Sequence, residues 1–277
     1  MSDTIAARSV AAPEPAPLGV PKKRYELKKL GDAGAAWLEP SARHRLAVVF
    51  VHGWGGDFLG TWTWSRFPSF LHRASRRLLF DQLVAERDLG CDLYSVAHSA
   101  KLFARPDVHQ VGQTVGSFLQ TYVLDTHEAV ALVGHSLGGL AARQAILDML
   151  ELKPSDEVPV VGLLMLGTPN DGAKMARAAG RFWTPSARSM ETYGEYLREL
   201  NRCWTESIVN GGDPAREPDR RLPLLCWAAV GESDAVVTPA SAAHLSLLGE
   251  IKSMPKNHRG LAKAESRDDP PCAVVLD

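Results

Sequence analysis

The sequence predicts an α/β protein with a mainly parallel central sheet flanked by helices. From Arg45 onward, short apolar runs alternate with segments of helical periodicity, as expected for strands joined by crossover helices. Several of these runs are apolar throughout, which is typical of parallel strands buried on both faces. With 277 residues, 45% of them hydrophobic and 23% charged, the chain can form one large core. We expect one domain over residues 23–277, after a flexible Ala/Pro-rich tail at 1–22.

The strands are predicted from apolar runs bounded by polar residues or glycine. In order, they cover Leu46–Val51, Cys91–Ala97, Ala129–Val133, Val158–Leu166, Leu224–Val230 and Ile251–Met254. A further pair before them is expected over Tyr25–Leu30 and Ala35–Leu38. The run Val158–Leu166 is hydrophobic on both faces, so we expect it to be a central parallel strand.

Two helices are predicted between these strands. The segment Gln110–Tyr122 carries apolar residues at helical spacing, at Val111, Val115, Phe118 and Leu119. The segment Gly138–Leu150 has a similar apolar side, and Pro154 prevents its continuation. Two other stretches break the regular alternation and are interpreted as aromatic-rich insertions over a site, at about residues 57–80 and 172–222.

Composition and motifs exclude several classes of function. Lys plus Arg (31) nearly balance Asp plus Glu (32), and no basic patch with interleaved aromatics is present, so we expect no nucleic-acid partner. No phosphate-binding glycine loop follows a strand, and no two histidines lie closer than eight residues, so we expect neither a cofactor nor a metal. The apolar runs are shorter than the ~20 residues of a membrane helix. The four scattered cysteines and the absence of a secretory signal favour a cytoplasmic protein.

One motif predicts a nucleophilic serine. Gly134-His135-Ser136-Leu137-Gly138 has the form G-x-S-x-G, in which the serine lies on a sharp turn between a strand and a helix. The predicted strand before it and the predicted helix after it supply that context. The alternative is that Ser136 only caps the helix. We favour the nucleophile because the whole pattern is present.

A serine nucleophile requires a base, which is normally a histidine oriented by a carboxylate. Two histidines follow Ser136, namely His244 and His258. We favour His258, because it lies in a polar loop after the last predicted strand, whereas His244 lies in a helical turn.

The carboxylate is predicted at Asp234, directly after the strand Leu224–Val230 and thus at the carboxyl edge of the sheet. Glu232 and Asp171 are the alternatives, and a purely structural role for Asp234 before Pro239 is a further one. The chain order Ser136, Asp234, His258 is the order of the α/β-hydrolase triad.

Acyl transfer also requires backbone amides that stabilise the oxyanion. The glycine-rich stretch His52–Gly56 follows the strand Leu46–Val51 and allows the chain to turn close to the serine. We therefore predict that the amides of Trp54 and Leu137 form the oxyanion hole. His52 is interpreted as a residue that orders this loop.

These motifs together resemble the lipase-like α/β-hydrolases over about Arg45 to Pro271. More narrowly, the chain is similar to the group related to GPI inositol-deacylases and to the serine-active-site lipase-like proteins. The likeness is carried by Val48–Asp57, Thr61-Trp62, Gly134–Gly139, Leu166–Pro169, Asn257–Lys263 and Ser266–Asp269. The resemblance implies hydrolysis of an ester or acyl lipid. The sequence departs from the group in the tryptophans Trp54, Trp62 and Trp64 and in the insertion after Gly172.

We therefore expect a serine hydrolase that cleaves carboxylic esters of small molecules or lipids. Candidate substrate-binding residues are the aromatics Trp62, Trp64, Phe67 and Trp183, with core packing as the alternative role. Thioester hydrolysis or acyl transfer by the same triad is a second hypothesis, and a ligand-sensing module without turnover is a third. A peripheral membrane contact and the oligomeric state are left open.

Overall fold

The computed structural model describes residues 25–40, 42–65, 76–85, 89–98, 107–171, 187–209, 222, 224–243 and 250–276. Its main feature is an eight-stranded sheet with the order β1-β2-β6-β3-β7-β8-β9-β10. The strands are β1 Glu26–Lys29, β2 Gly34–Leu38, β3 Leu46–Val51, β6 Cys91–Val96, β7 Ala129–His135, β8 Val160–Leu166, β9 Leu225–Gly231 and β10 Ile251–Met254. The pairs β1–β2 and β2–β6 are antiparallel, and the other five pairs are parallel. The predicted fold class is confirmed.

Helices cover both faces of this sheet. They are α1 Leu79–Leu83, α2 Val108–Tyr122, α3 Leu137–Leu152, α4 Ala187–Trp204, α5 Pro239–Ala243 and α6 Pro270–Leu276. In the predicted 57–80 insertion, β4 Thr63–Ser65 pairs antiparallel with β5 Arg76–Leu78 and forms a small separate sheet. None of the described helices is long and apolar enough to cross a membrane.

The core has two parts, one on each face of the sheet. In β3, Val49 and Val51 point to the side of α2, α3 and α4, whereas Phe50 points to the side of α1 and α6. This alternation is the two-residue period of a strand, and all three side chains are fully buried. Burial of each such side chain contributes about 1.5–3 kcal/mol. The central strands are therefore held from both faces, which is why they are apolar throughout.

The predicted elements differ from the observed ones only near their ends. Helix α2 begins two residues earlier than predicted, because the Asp107 side chain accepts hydrogen bonds from the amides of His109 and Gln110 and caps the helix. Strand β8 begins at Val160 instead of Val158, since Ser155–Glu157 forms a 3-10 turn and Pro159 has no N–H to donate. Strand β7 continues to His135 and so reaches the residue before Ser136.

A buried arginine joins α3 to α4. Arg143 is fully buried, and its guanidinium donates to the side-chain oxygens of Asn170 (3.1 Å) and Asn201 (3.0 Å) while lying 4.9 Å from the centre of the Trp204 ring. Burial lowers the pKa of Arg143 to about 9. Asn201 in turn donates to the backbone oxygen of Asn170, so the turn after β8 and helix α4 are held together by polar contacts.

Candidate active site

The predicted nucleophile Ser136 lies between the end of β7 and the start of α3. Its backbone angles are φ 55° and ψ −123°, and in the described ranges it is the one non-glycine residue with a positive φ. Such a conformation is strained and persists only where the surroundings impose it. The Ser136 amide donates to the carbonyl of Leu166 in the neighbouring strand at 2.9 Å. The segment thus forms the sharp strand-to-helix turn that the motif requires.

The glycines around Ser136 are required by close backbone contacts. A Cβ atom at Gly138 would overlap the carbonyl oxygen of Val51, and one at Gly134 would overlap Gly139. A Cβ at Gly53 would lie only 2.9 Å from the Cβ of Ser136. The turn and the glycine-rich loop after β3 can therefore approach each other only without side chains at these positions.

Two further predicted residues meet at Ser136. His258 follows β10, and its Nε2 lies 3.0 Å from the Oγ of Ser136. Asp234 follows β9, and its Oδ2 lies 2.8 Å from the Nδ1 of His258. The side chain of Asp234 is 1% exposed and that of His258 is 14% exposed. The structure thus brings the three side chains into one hydrogen-bonded row at the carboxyl edge of the sheet.

The electrostatics fix the direction of these hydrogen bonds. Burial raises the pKa of the Asp234 carboxyl, but hydrogen bonds from His258 and from the amides of Val237 and Val236 outweigh burial and hold the pKa below its ordinary value. Both amides donate to Oδ1 at 2.8 Å. The carboxylate is therefore charged at neutral pH and accepts the Nδ1 proton of His258. We assign Nε2 as the acceptor of the Ser136 hydroxyl proton.

The alternative acids lie elsewhere. Glu232 accepts a hydrogen bond from the exposed Ser253 at 3.3 Å, and Asp171 pairs with the hydroxyl of Ser241. Neither is recorded in contact with His258 in the described part of the chain. The alternative base, His244, lies outside the described residues.

The predicted oxyanion loop lies beside the Ser136 turn. The position of a Cβ at Gly53 would be 3.5 Å from the amide nitrogen of Leu137, so the loop that carries Trp54 runs next to the start of α3. Leu137 is the first residue of α3, and the first amides of a helix have no intrahelical acceptor. The assignment of the Trp54 and Leu137 amides to the oxyanion hole stays a prediction.

Two stacked histidines order that loop. The rings of His52 and His98 lie 3.8 Å apart and nearly parallel. His52 donates from Nδ1 to the carbonyl of Gly53 (2.9 Å), and His98 donates from Nε2 to the carbonyl of His52 (2.8 Å). Burial and the neighbouring His98 lower the pKa of His52 to about 4, so His52 is neutral at neutral pH. The contacts fit the role predicted for His52, but nothing in the sequence pointed to His98.

Sequence reasoning also missed two residues that support His258. The first, His135, is buried and donates from Nε2 to the backbone carbonyl of His258 at 2.8 Å. The second, Gly167, has φ +58°, and a Cβ there would lie 3.3 Å from both the Oδ2 of Asp234 and the Nδ1 of His258. His135 occupies a variable position of the motif, so only its proximity to Ser136 was a signal. Gly167 belongs to the stretch Leu166–Pro169, which carries part of the family likeness, but its role beside His258 was not predicted.

Two of the four aromatic residues predicted to bind substrate, Trp62 and Trp64, lie within the described residues. Trp62 is fully buried, with its ring 5.1 Å from that of Phe50, and it lies in the core on the α1 side. Its packing leaves no surface for substrate, so the structure favours the core role for this residue. Trp64 is partly exposed and lines a groove beside the His258 loop. Phe67 and Trp183 lie outside the described residues.

The sheet order and the Ser136 turn give the chain the fold of an α/β-hydrolase. A sequence model of the alpha/beta hydrolase family matches residues 48–262, and the chain belongs to that family. No curated protein sequence matches it.

Solved structures of similar fold share little sequence with this chain. Lipase BlEst2 of Bacillus licheniformis has a TM-score of 0.59 at 15% identity, and the match covers 86% of this chain and 95% of the lipase. A proposed thioesterase of Silicibacter sp. has a TM-score of 0.55 at 15% identity, and the match covers 92% of this chain and 87% of the thioesterase. Carboxyl esterase 2 of the fungus Tuber melanosporum has a TM-score of 0.50 at 15% identity, and the match covers 94% of this chain and 86% of the esterase. At this identity the likeness establishes the fold.

Proposed function

We propose that the protein is a serine hydrolase that cleaves carboxylic esters through Ser136, His258 and Asp234. The observation that carries the proposal is the continuous row from Asp234 Oδ2 through both His258 nitrogens to Ser136 Oγ, with distances of 2.8 and 3.0 Å. A nucleophile, its base and the group that orients the base are within hydrogen-bond reach, which is the arrangement that nucleophilic catalysis needs.

The first half of the reaction forms an acyl-enzyme. Ser136 Oγ attacks the ester carbonyl as its proton passes to His258 Nε2, and the buried carboxylate of Asp234 stabilises the resulting imidazolium. The amides of Trp54 and Leu137 stabilise the oxyanion of the tetrahedral intermediate. His258 then gives the proton to the leaving alkoxide, so that an alcohol departs and the acyl group stays on Ser136.

The second half clears the acyl group. Water attacks the acyl carbonyl while His258 Nε2 takes its proton, and the collapse of this second intermediate returns the proton to Ser136. The products are a carboxylic acid and the free enzyme. A strained serine between β7 and α3 presents its hydroxyl to both steps without a change of backbone.

Thioester hydrolysis is the second candidate, because the same groups act on any acyl carbonyl with a suitable leaving group. The similar fold of a proposed thioesterase makes it worth testing. A sensing module without turnover agrees less well with the structure, since the 3.0 Å contact of His258 with Ser136 is the contact that catalysis needs. The narrower likeness to the GPI inositol-deacylase-related group and an acyl-lipid substrate are proposals of the same kind.

The test is labelling with an activated fluorophosphonate, followed by mass spectrometry of the labelled peptide. We expect the wild type to be labelled once, at Ser136, and Ser136→Ala to be unlabelled. Ser253→Ala is the matched control, because it removes the hydroxyl of an exposed serine on β10 and should leave labelling intact. Labelling that survives in Ser136→Ala contradicts the proposal. Initial rates with paired oxygen and sulfur esters then separate the two candidate activities.

A further inference from the structure

A groove of about 380 Å³ lies beside the loop that carries His258. One wall is Trp64 of β4, and the other is the segment from Pro255 to Lys263. Three cationic side chains line the groove, namely Lys256, Arg259 and Lys263, and its described lining contains no acidic residue. An aromatic wall facing several cations suits a molecule with a short carbon segment and an anionic group.

The positive charge of the groove is only partly neutralised. Lys256 is paired with Asp269 at 2.7 Å. Lys263 donates to the backbone carbonyl of Gly60 at 3.3 Å, which supplies a hydrogen bond but no counter-charge. Arg259 is exposed, and within the described residues its guanidinium forms no hydrogen bond or ion pair, although its backbone carbonyl accepts from the amide of Ala262. Two cations therefore line the groove, and no carboxylate of the described residues is bonded to either.

The two cations act on each other. Burial lowers the pKa of Lys263, the neighbouring Arg259 lowers it further, and Asp57 opposes the shift without reversing it. The part of this shift that comes from Arg259 reflects repulsion between the two positive charges. An anion bound between the two side chains would relieve this repulsion, and it would accept hydrogen bonds from both.

The groove is lined by neighbours of His258 in the same loop. Arg259 follows His258 directly, so their Cα atoms are about 3.8 Å apart. The charge of Lys263 also lowers the pKa of His135, which contacts the His258 carbonyl, so Lys263 lies close to the same loop. Gly60, which accepts from Lys263, belongs to the segment that continues from the predicted oxyanion loop. A substrate with its carbonyl at Ser136 would have to extend along the His258 loop to reach this groove.

We propose that the groove formed by Trp64, Arg259 and Lys263 is an anion subsite, and that the favoured ester carries a carboxylate or phosphate group bound there. This inference rests on the proposed ester hydrolysis and names the class of substrate. Arg259 supplies a fork of donors that suits both anions, and Lys263 supplies a point charge. Trp64 covers the carbon segment between the anion and the ester.

The experiment compares kcat/KM for two pairs of soluble monomeric esters. In the first pair the charge is on the acyl side, with the p-nitrophenyl half ester of glutarate against the p-nitrophenyl ester of monomethyl glutarate. In the second pair it is on the alcohol side, with the butyrate ester of 4-hydroxybenzoate against that of methyl 4-hydroxybenzoate. We expect the anionic member of at least one pair to be favoured about tenfold at low ionic strength, equivalent to about 1.4 kcal/mol. Added salt should reduce the ratio.

The variant that tests the assignment is Arg259→Gln, for which the anionic-to-neutral ratio should fall toward one. Arg45→Gln is the matched control, because it removes the same charge from an exposed residue directly before β3. Arg45 lies at the amino ends of the parallel strands, away from the candidate site, so the ratio should stay unchanged. A ratio of one or less for both pairs in the wild type overturns the subsite. So does a preference that Arg259→Gln retains.

The neutral esters separate this inference from the proposed function. If they are hydrolysed without a preference for the anionic members, the hydrolase stands and the subsite falls. If no ester is hydrolysed, the unfolding temperature is measured with and without inorganic phosphate. A rise in the wild type that Arg259→Gln abolishes supports the anion site although ester hydrolysis fails. No rise overturns the site.

Discussion

Replacing His135 tests whether a residue without contact to the substrate positions the base. His135 is neutral at neutral pH, because burial and the neighbouring His258 lower its pKa to about 3. It therefore has one ring proton, and the 2.8 Å contact with the His258 carbonyl places that proton on Nε2. His135→Leu removes the donor and leaves a carbonyl without its partner, which costs about 1–3 kcal/mol. His135→Gln keeps an N–H at a similar reach.

If that energy is lost from the positioning of His258, the rate changes accordingly. One tenfold step in rate corresponds to about 1.4 kcal/mol, so kcat of His135→Leu should fall by about 5- to 150-fold. KM should change little, since His135 is buried and its hydrogen bond goes to the backbone of His258. His135→Gln should recover most of the lost kcat.

The assay is steady-state hydrolysis of a soluble p-nitrophenyl ester across pH, with urea unfolding of each variant. His127→Leu is the control for general destabilisation, because His127 is also buried and contacts Asp92 at 3.0 Å, near the opposite ends of the strands. It should lower stability and leave kcat unchanged. Equal kcat values for His135→Leu and His135→Gln would refute a positioning role for the hydrogen bond.

Three further predictions concern the acid, the turn after β8 and the response to pH. Asp234→Asn should lower kcat by on the order of 10⁴-fold with an unchanged circular dichroism spectrum, because an amide does not hold His258 in the tautomer with its proton on Nδ1. A small loss of kcat would exclude Asp234 as the orienting acid. Gly167→Ala should lower the free energy of unfolding by about 1–2 kcal/mol, because alanine is strained at a φ of +58°. It should also reduce kcat more than it raises KM, since the new Cβ would lie 2.8 Å from Leu261 and displace the neighbouring His258–Asp234 pair. Full activity of this variant would contradict the reasoning. His52 and His135 have pKa values of about 4 and about 3 in the folded protein, against 6.5 in the unfolded chain, so the unfolded state binds more protons between these values. The free energy of unfolding should therefore fall on acidification from pH 6.5 to 4, by up to about 1.4 kcal/mol per pH unit for each histidine. Urea titrations that give the same stability at pH 7 and pH 4.5 would contradict this prediction.

Two strands end where the sequence predicted, although β3 is largely buried and β10 is largely exposed. Strands β3 and β10 have the predicted bounds Leu46–Val51 and Ile251–Met254. The ends of other elements depend on single contacts, such as the Asp107 cap of α2, which the apolar pattern does not contain. Apolar periodicity reports which face is buried, whereas the last residue of an element is decided by local hydrogen bonds.

The same distinction holds at the candidate site. The proximity of Ser136, Asp234 and His258 was predictable because chain order and position after a strand restrict the choice. The role of Trp62 was not predictable, because the sequence does not distinguish an aromatic residue at a site from one in the core, and Trp62 is fully buried in the core. The donor from His135 to the His258 carbonyl joins residues 123 positions apart, so no local pattern reveals it.

The three reactive groups of the candidate site belong to turns that follow different parallel strands, and each turn is fixed by a neighbour. The Ser136 amide is held by the carbonyl at the end of β8, and Asp234 is held by the amides of its own turn. The backbone of His258 is held by His135 at the end of β7. Their spacing thus follows from the register of β7, β8, β9 and β10. The proposed chemistry therefore depends on the sheet, whereas the proposed preference for an anionic substrate depends on the groove beside its carboxyl edge.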